Sequence, residues 1–390
     1  MNNHDSSISS VDTVSTADNI LRSGCRILKK IAESTDKQNI VFSPFGISSA
    51  LAITYNGALD ETAREMSNVF GFAEVDRECS AYRNLINSLC LEEEGRTLKI
   101  ANSLWIDREF TSVINDDFVN RGTESFSASI YHVDFKDEAT TALVNAWVSN
   151  ATQGKIDHLV KDTKNIDTAI INAVYFEADW ADSFDANSTF STTFYTGPNQ
   201  PSVDCRMMAK TEWQNYLRTD NAQIAFLPYK SSDKDSARLS MAVLLPDEGK
   251  SLLDCLDSLE SIFESESKTE SVFLRLQLPR FRVSFDMSLV GVCRALGMNM
   301  AFDQKLANFS GMCPNFYITE ILHKAILEVG EKGTVAAAAT IVEMRCGGMY
   351  VAQPDPVEMI VNRPFLVAII DTHTRVPLFI GGITKPEELI

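Results

Sequence analysis

The run EVGEKGTVAAAATIVEMRCGGMYVAQPDPVEMI, from Glu328 to Ile360, fits no ordinary element of a globular protein. From Gly333 to Val342 it carries neither charge nor proline, so nothing in it forbids burial as a strand. With a side-chain period of two, Thr334, Ala336, Ala338 and Thr340 share one face, and Val335, Ala337, Ala339 and Ile341 the other. The first set is small throughout, so an already closed sheet could admit it. The same alanines also suit a surface helix. Beyond them stand a lone arginine, a cysteine and the pair Gly347–Gly348, built neither for a core nor for a simple linker.

The rest of the chain reads as a large globular protein. Of its 390 residues 45% are apolar and 23% charged, and no apolar run approaches the roughly eighteen residues of a membrane span. Residues 1–16 are polar, lack the pattern of a secretory leader and are expected to form a flexible, frayed end before a single domain over 17–390. A net charge of −18 argues against nucleic acid and heparin-like polyanions as partners. Arg275, Arg280 and Arg282 fall on one strand region and read as a solvated sheet face. The eight cysteines are scattered without CxxC or metal-ligand spacing, which fits buried thiols and implies neither a disulfide scaffold, a metal nor a cofactor. Sequons at Asn150, Asn187 and Asn308 are possible glycosylation sites.

Local signals place helices mostly in the first half. Ser43-Pro44 starts one, with Ile47, Ala50, Leu51 and Thr54 at helical spacing. Thr62-x-x-Glu65 has the form of a capping box, with Gly71 as the stop. Leu143, Ala146 and Trp147 share a helical face ahead of Gly154. Later, ARLSMAVLLP (237–246) reads as a buried strand, and VFLRLQLPRFRVSF (272–285) alternates but slips by one at Pro279-Arg280, predicting a bulge or bend. Leu289, Val292, Cys293 and Leu296 predict a helix ended by Gly297. Segregated helices and strands favour an α+β fold.

No catalytic constellation is visible. GISSA (46–50) misses the nucleophile-elbow pattern and lies within a helix, and DEGKS (247–251) lacks the upstream glycine of a phosphate loop. None of the five histidines has a ligand or nucleophile partner in sequence, and His323 sits in the apolar ILHKAIL.

The segment NIVFSPFGISSALAITYNGALDETAREM (39–66) resembles an early signature of the serpins. IANSLWI (100–106), VNAWVSNATQGKI (144–156), INAVYFEADWADSFD (171–185), LPRFRVSFDMSLVGVCRALGMNMAF (278–302), HKAILEVGEKGTVAAAAT (323–340) and NRPFLVAIIDTHTRVPLFIGGI (362–383) resemble serpin blocks in the same order. The resemblance implies one domain with three β-sheets, eight or nine helices and an exposed reactive loop at about 331–361. It implies no enzyme, but a monomeric inhibitor that traps a serine protease as an acyl-enzyme when the cut loop inserts into the main sheet. It assigns the hinge to Glu331 and Gly333 through Thr340, and a sheet-opening cluster to Ser43, Asn172 and His323. Gly46 stands where relatives usually carry serine, and Gly382 where they usually carry a basic residue.

In the family the cut follows the seventeenth residue from the hinge glutamate, which here gives Gly347–Gly348. Glycine fills no protease pocket. Arg345 suits the acidic pocket of a trypsin-like enzyme, so Arg345–Cys346 is the expected bait. Met349 and Tyr350 suit a chymotrypsin-like pocket, and Cys346 leaves open a cysteine protease. The other reading is a serpin-fold binding or chaperone protein whose loop traps nothing. A trypsin-like bait and the sequons point to an extracellular or cell-surface location, although the chain shows no signal peptide; the scattered thiols point to the cytoplasm.

Overall fold

The structure, a computed structural model, describes residues 5–34, 39–90, 95–197, 200–231, 238–256, 259, 269–334 and 354–387. Among the described residues no helix is long and apolar enough to cross a membrane. Helix α1 (Asp5–Ser34) starts well inside the stretch expected to be frayed. Its first residues are polar and hid this from the sequence, but Ala17, Ile20, Leu28 and Ile31 form a buried stripe that ties the helix down.

Helix α2 (Pro44–Tyr55) is buried over its whole length, as its nearly all-apolar sequence requires. Ser43 caps it by accepting a hydrogen bond from the Gly46 N–H at 3.0 Å. Helix α3 (Asp60–Phe70) ends at Gly71 in the left-handed conformation (φ +74°) as expected, but the expected capping box is absent: its N-cap, Leu59, makes no side-chain cap. Thr62 Oγ1 instead accepts from the Asn308 N–H, and Glu65 from the Asn299 and Met300 N–H groups. Helices α4 (Val75–Leu89) and α5 (Asp116–Phe126) follow. Helix α6 (Glu138–Ala151) buries Thr140, Val144 and Val148, not the Leu143–Ala146–Trp147 face; Leu143 is 49% exposed. The stripe at i, i+4, i+8 is narrow enough to lie flat on a sheet, while the half-buried Trp147 packs against its margin in a T-shaped pair with Trp105. Short helices α7 (Leu252–Leu256) and α8 (Val290–Ala295) bring the described α-helices to eight.

A nine-stranded sheet contains β1 (Ile40–Phe42), β5 (Phe190–Phe194), β6 (Val203–Arg218), β7 (Ala222–Pro228), β8 (Leu239–Pro246), β9 (Glu270–Pro279), β13 (Val357–Ile360), β14 (Phe365–Asp371) and β15 (Pro377–Ile383). Two of the expected three sheets are thus joined: β6 pairs with β5 and β9 along its first part and with β7 at residues 215–218. The six-stranded sheet has the order β10 (Phe281–Ser288), β11 (Glu320–Val329), β12 (Gly333–Thr334), β4 (Thr168–Asp179), β2 (Arg96–Asp107) and β3 (Ala128–Val133). The phase slip at Pro279-Arg280 is where the chain leaves one sheet for the other.

Both faces of β4 are covered. Ile170 and Val174 face the main core, whereas Ile171 and Ala173 join Trp105, Val144, Val148 and Ile326 under α6. That double burial explains its near-continuous apolar run and makes it a central strand.

A half-open slot at the top of the six-stranded sheet

Strands β4 and β11 run parallel and pair directly from Ala169–Glu320 to Val174–Ala325. Above that point the two-residue strand β12 enters between them. Thr334 stands opposite Val329 on one side and Ala178 on the other, and Gly333 opposite Asp179. A Cβ built on Gly333 would lie 2.0 Å from the Ala178 carbonyl oxygen, so only glycine passes here. Thr334 is fully buried, and its hydroxyl shares a 2.7 Å hydrogen bond with the buried Tyr229 hydroxyl. Tyr229 stacks on Trp180 at 4.6 Å and meets the edge of Phe176. Burial holds its phenol far above the ordinary tyrosine range, so it stays neutral.

The residues before β12 are held by their backbone. Trp180 donates its indole N–H to the Gly330 carbonyl (2.9 Å) and its main-chain N–H to that of Lys332 (2.7 Å). Phe184 N–H donates to the Glu331 carbonyl at 2.8 Å. The Glu331 carboxylate accepts from the Thr189 hydroxyl at 2.9 Å and lies 3.5 Å from Arg280 Nε. Glu331, Gly333 and Thr334 therefore converge on one pinned corner. Val335–Thr340 of the expected hinge, and the bait residues Arg345, Cys346, Gly347, Gly348, Met349 and Tyr350, lie outside the described residues.

Lower down, Ser43, Asn172 and His323 are joined by hydrogen bonds. Ser43 N–H donates to His323 Nε2 at 3.1 Å, which places the ring proton on Nδ1 and makes it the donor to Asn172 Oδ1 at 2.8 Å. Asn172 Nδ2 then donates to Asn102 Oδ1 at 2.7 Å, Asn102 Nδ2 to Ser49 Oγ at 3.0 Å, and Ser49 Oγ to the Gly46 carbonyl at 2.9 Å. A closed polar chain thus joins α2 to β2, β4 and β11. Asn102 and Ser49 were not expected in it. Their only signal was polarity inside apolar runs.

This chain accounts for Gly46. A Cβ there would lie 2.4 Å from Asn172 Oδ1 and 2.7 Å from Val174 Cγ2, so the amide fills the room a side chain would need. Gly46→Ala should therefore destabilise the protein by about 1–3 kcal/mol, through crowding of a packed interior. That sign opposes alanine's roughly 1 kcal/mol helix advantage, and urea unfolding distinguishes the two. Gly382 is buried, and a Cβ there would approach Leu252 to 3.3 Å.

Complete burial pushes the His323 imidazole down to about 3. A group whose pKa is lowered on folding contributes stability above its unfolded value, near 6.5, and loses it as pH falls. Below about pH 6.5 this site should cost about 1.4 kcal/mol per pH unit, down to about pH 3. His323→Gln should flatten that slope in unfolding curves measured across the range.

The other expected residues are dispersed. Arg275, Arg280 and Arg282 do not form one face: they stand beside Glu358, Glu331 and Glu328 respectively, with Arg275 on β9, Arg282 on β10 and Arg280 at the crossing between the two sheets. Asn150 and Asn187 are exposed, whereas the half-buried Asn308 donates its amide to Asp60 at 2.8 Å. No disulfide joins the described cysteines, and burial drives the Cys205 and Cys313 thiols up to about 11 and Cys293 to about 12. Neutral buried thiols of this kind are poor nucleophiles.

Three comparisons bear on this geometry. The family model described as Serpin (serine protease inhibitor) matches residues 19–386. Iripin-8 from Ixodes ricinus is 30% identical over 379 residues, covering 92% of this chain and 91% of that protein. An uncharacterized serpin-like protein from Methanosarcina acetivorans is 32% identical over 368 residues, covering 91% and 84% respectively. Among solved structures, the native state of the thermophilic serpin tengpin superposes with a TM-score of 0.82 at 26% identity, covering 99% of this chain and 95% of its own.

Proposed function

The chain belongs to the serpin family, whose members are generally protease inhibitors, and we propose that it is a suicide inhibitor of a trypsin-like serine protease. The observation that carries this reading is β12, two residues of the loop already hydrogen-bonded on both sides between β11 and β4. Continuing its antiparallel register would set Ala336 opposite Phe176, Ala338 opposite Val174 and Thr340 opposite Asn172. On the other side Thr340 would meet His323, replacing the direct Asn172–His323 contact of the closed sheet.

The mechanism follows from that register. The protease serine attacks the carbonyl carbon of the bait residue, the C–N bond breaks, and the new amine end leaves with the rest of the loop. The free N-terminal limb then zips between β4 and β11, carrying the acylated enzyme toward the strand foot at Thr168 and Glu320. In this register the foot would fall near Met344, and Arg345 would be the first residue beyond the sheet once the limb is inserted. A cut after Arg345 therefore suffices for full insertion. The tether would be roughly 7 Å shorter than with a cut after Gly347, which presses the enzyme harder against the inhibitor body.

Mixing the protein with a panel of serine proteases should give an SDS-stable complex with trypsin-like members. The C-terminal peptide released from that complex should begin at Cys346 by mass spectrometry. A peptide beginning at Tyr350 or Val351, together with undiminished trapping by Arg345→Ala, would refute the choice of bait. A panel yielding cleavage and no complex would refute inhibition.

A further inference from the structure

Trp213 lies in the middle of β6 and is nevertheless 58% exposed. It stands opposite Phe273 of β9, with the ring centroids 5.9 Å apart. Two residues along, Thr211 stands opposite Arg275, and Arg275 opposite Glu358 of β13, with an ion pair of 2.7 Å between them. These side chains share the outward face of the sheet. The alternate residues Leu274, Leu276 and Met359 are buried beneath it. An indole left in water at mid-strand, beside a second ring, does nothing for the core, and aromatic pairs of this kind are the usual centres of binding surfaces.

The position of this face narrows its occupant. Strand β13 runs parallel to β9 with Val357 opposite Leu274, so Pro356 falls at the row of Trp213 and Phe273. The bait segment re-enters the described structure at Pro354, on the border of the aromatic pair. A protease holding Arg345 is joined to this border by nine residues of chain, at most about 30 Å. The outward charges next to the rings cancel, Arg275 against Glu358, although the whole chain carries −18. Long-range attraction for a cationic enzyme and a short-range apolar contact are thus separate features of one surface.

We propose that Trp213 and Phe273 form a second docking surface for the protease, which grips an apolar patch beside the enzyme's cleft while the loop occupies the cleft itself. This rests on the reading of the loop as protease bait. Replacing the exposed ring (Trp213→Ala) should lower the association rate constant about tenfold for the trypsin-like enzyme that wild type traps fastest. The melting temperature and the fraction of encounters ending in covalent complex should not change, which separates docking from hinge mechanics. The more conservative Phe273→Leu should give a smaller decrease in the same direction. Association within twofold of wild type for every trapped protease would overturn the docking surface and leave the bait reading standing. A wild-type protein that traps no protease at all would overturn both.

Discussion

Loop-cleaved protein should melt tens of degrees above the intact form. Among the described residues β4 and β11 pair directly over 169–174 and 320–325, and β12 is the strand seen between them above that point. Cleavage frees the limb that follows Thr334 to continue in register, bringing roughly ten further residues into the ladder. At about 1 kcal/mol net per hydrogen bond, the gain is on the order of 10 kcal/mol, comparable with the entire stability of an ordinary domain. A kilocalorie moves the midpoint of a large domain by about 2–4 °C, hence the size of the shift. Calorimetry on intact and cleaved samples measures it directly. Coincident transitions would show that no strand is inserted and would remove the inhibitory mechanism with it.

Thr334→Arg should convert the inhibitor into a substrate, with covalent complex falling by about a hundredfold or more while loop cleavage continues. Thr334 is the first side chain inside the slot, fully buried and bonded to Tyr229. A guanidinium there would be desolvated without a carboxylate partner in the slot, at a cost of several kcal/mol. The charge would expel β12 from the slot in the intact chain, and insertion would then have to bury it at the first step, slowly enough for the acyl-enzyme to hydrolyse. Thr334→Val is the informative companion. It keeps the shape and leaves one Tyr229 hydroxyl unpaired in the intact and the inserted chain alike, so it should lower the unfolding free energy by about 1–3 kcal/mol without abolishing trapping. Undiminished complex from the arginine variant, read on a denaturing gel, would mean that this strand does not enter as described.

Much of the fold was legible because its signals are local. Ser43 caps the residue three positions on, Gly71 must turn left-handed where a helix stops, and the run Leu239–Pro246 is apolar because both its faces are covered. The phase slip at Pro279-Arg280 was visible, but its meaning was not, since a bend and a change of sheet leave the same trace in the alternation. Thr62 and Glu65 matched a local motif and were misread for the opposite reason. Glu65 serves main-chain N–H groups more than two hundred residues away, and nothing in its neighbourhood announces that.

The site divides along the same line. Residue chemistry alone marked Gly333–Val342 as a stretch able to leave water for a sheet, because charge and proline are excluded by desolvation and by the ladder. It could not say where that strand begins. The answer depends on β4 and β11 separating above Val174 and Ala325, a matter of how two distant strands are packed from either side. Nor could sequence explain Gly46, whose missing side chain is occupied by the Asn172 amide and through it by Asn102 and Ser49. Periodicity and caps are set by backbone neighbours within about one turn, so the chain carries them openly. Close approach and shared hydrogen bonds are set by elements that meet only after folding, and only the folded chain shows them.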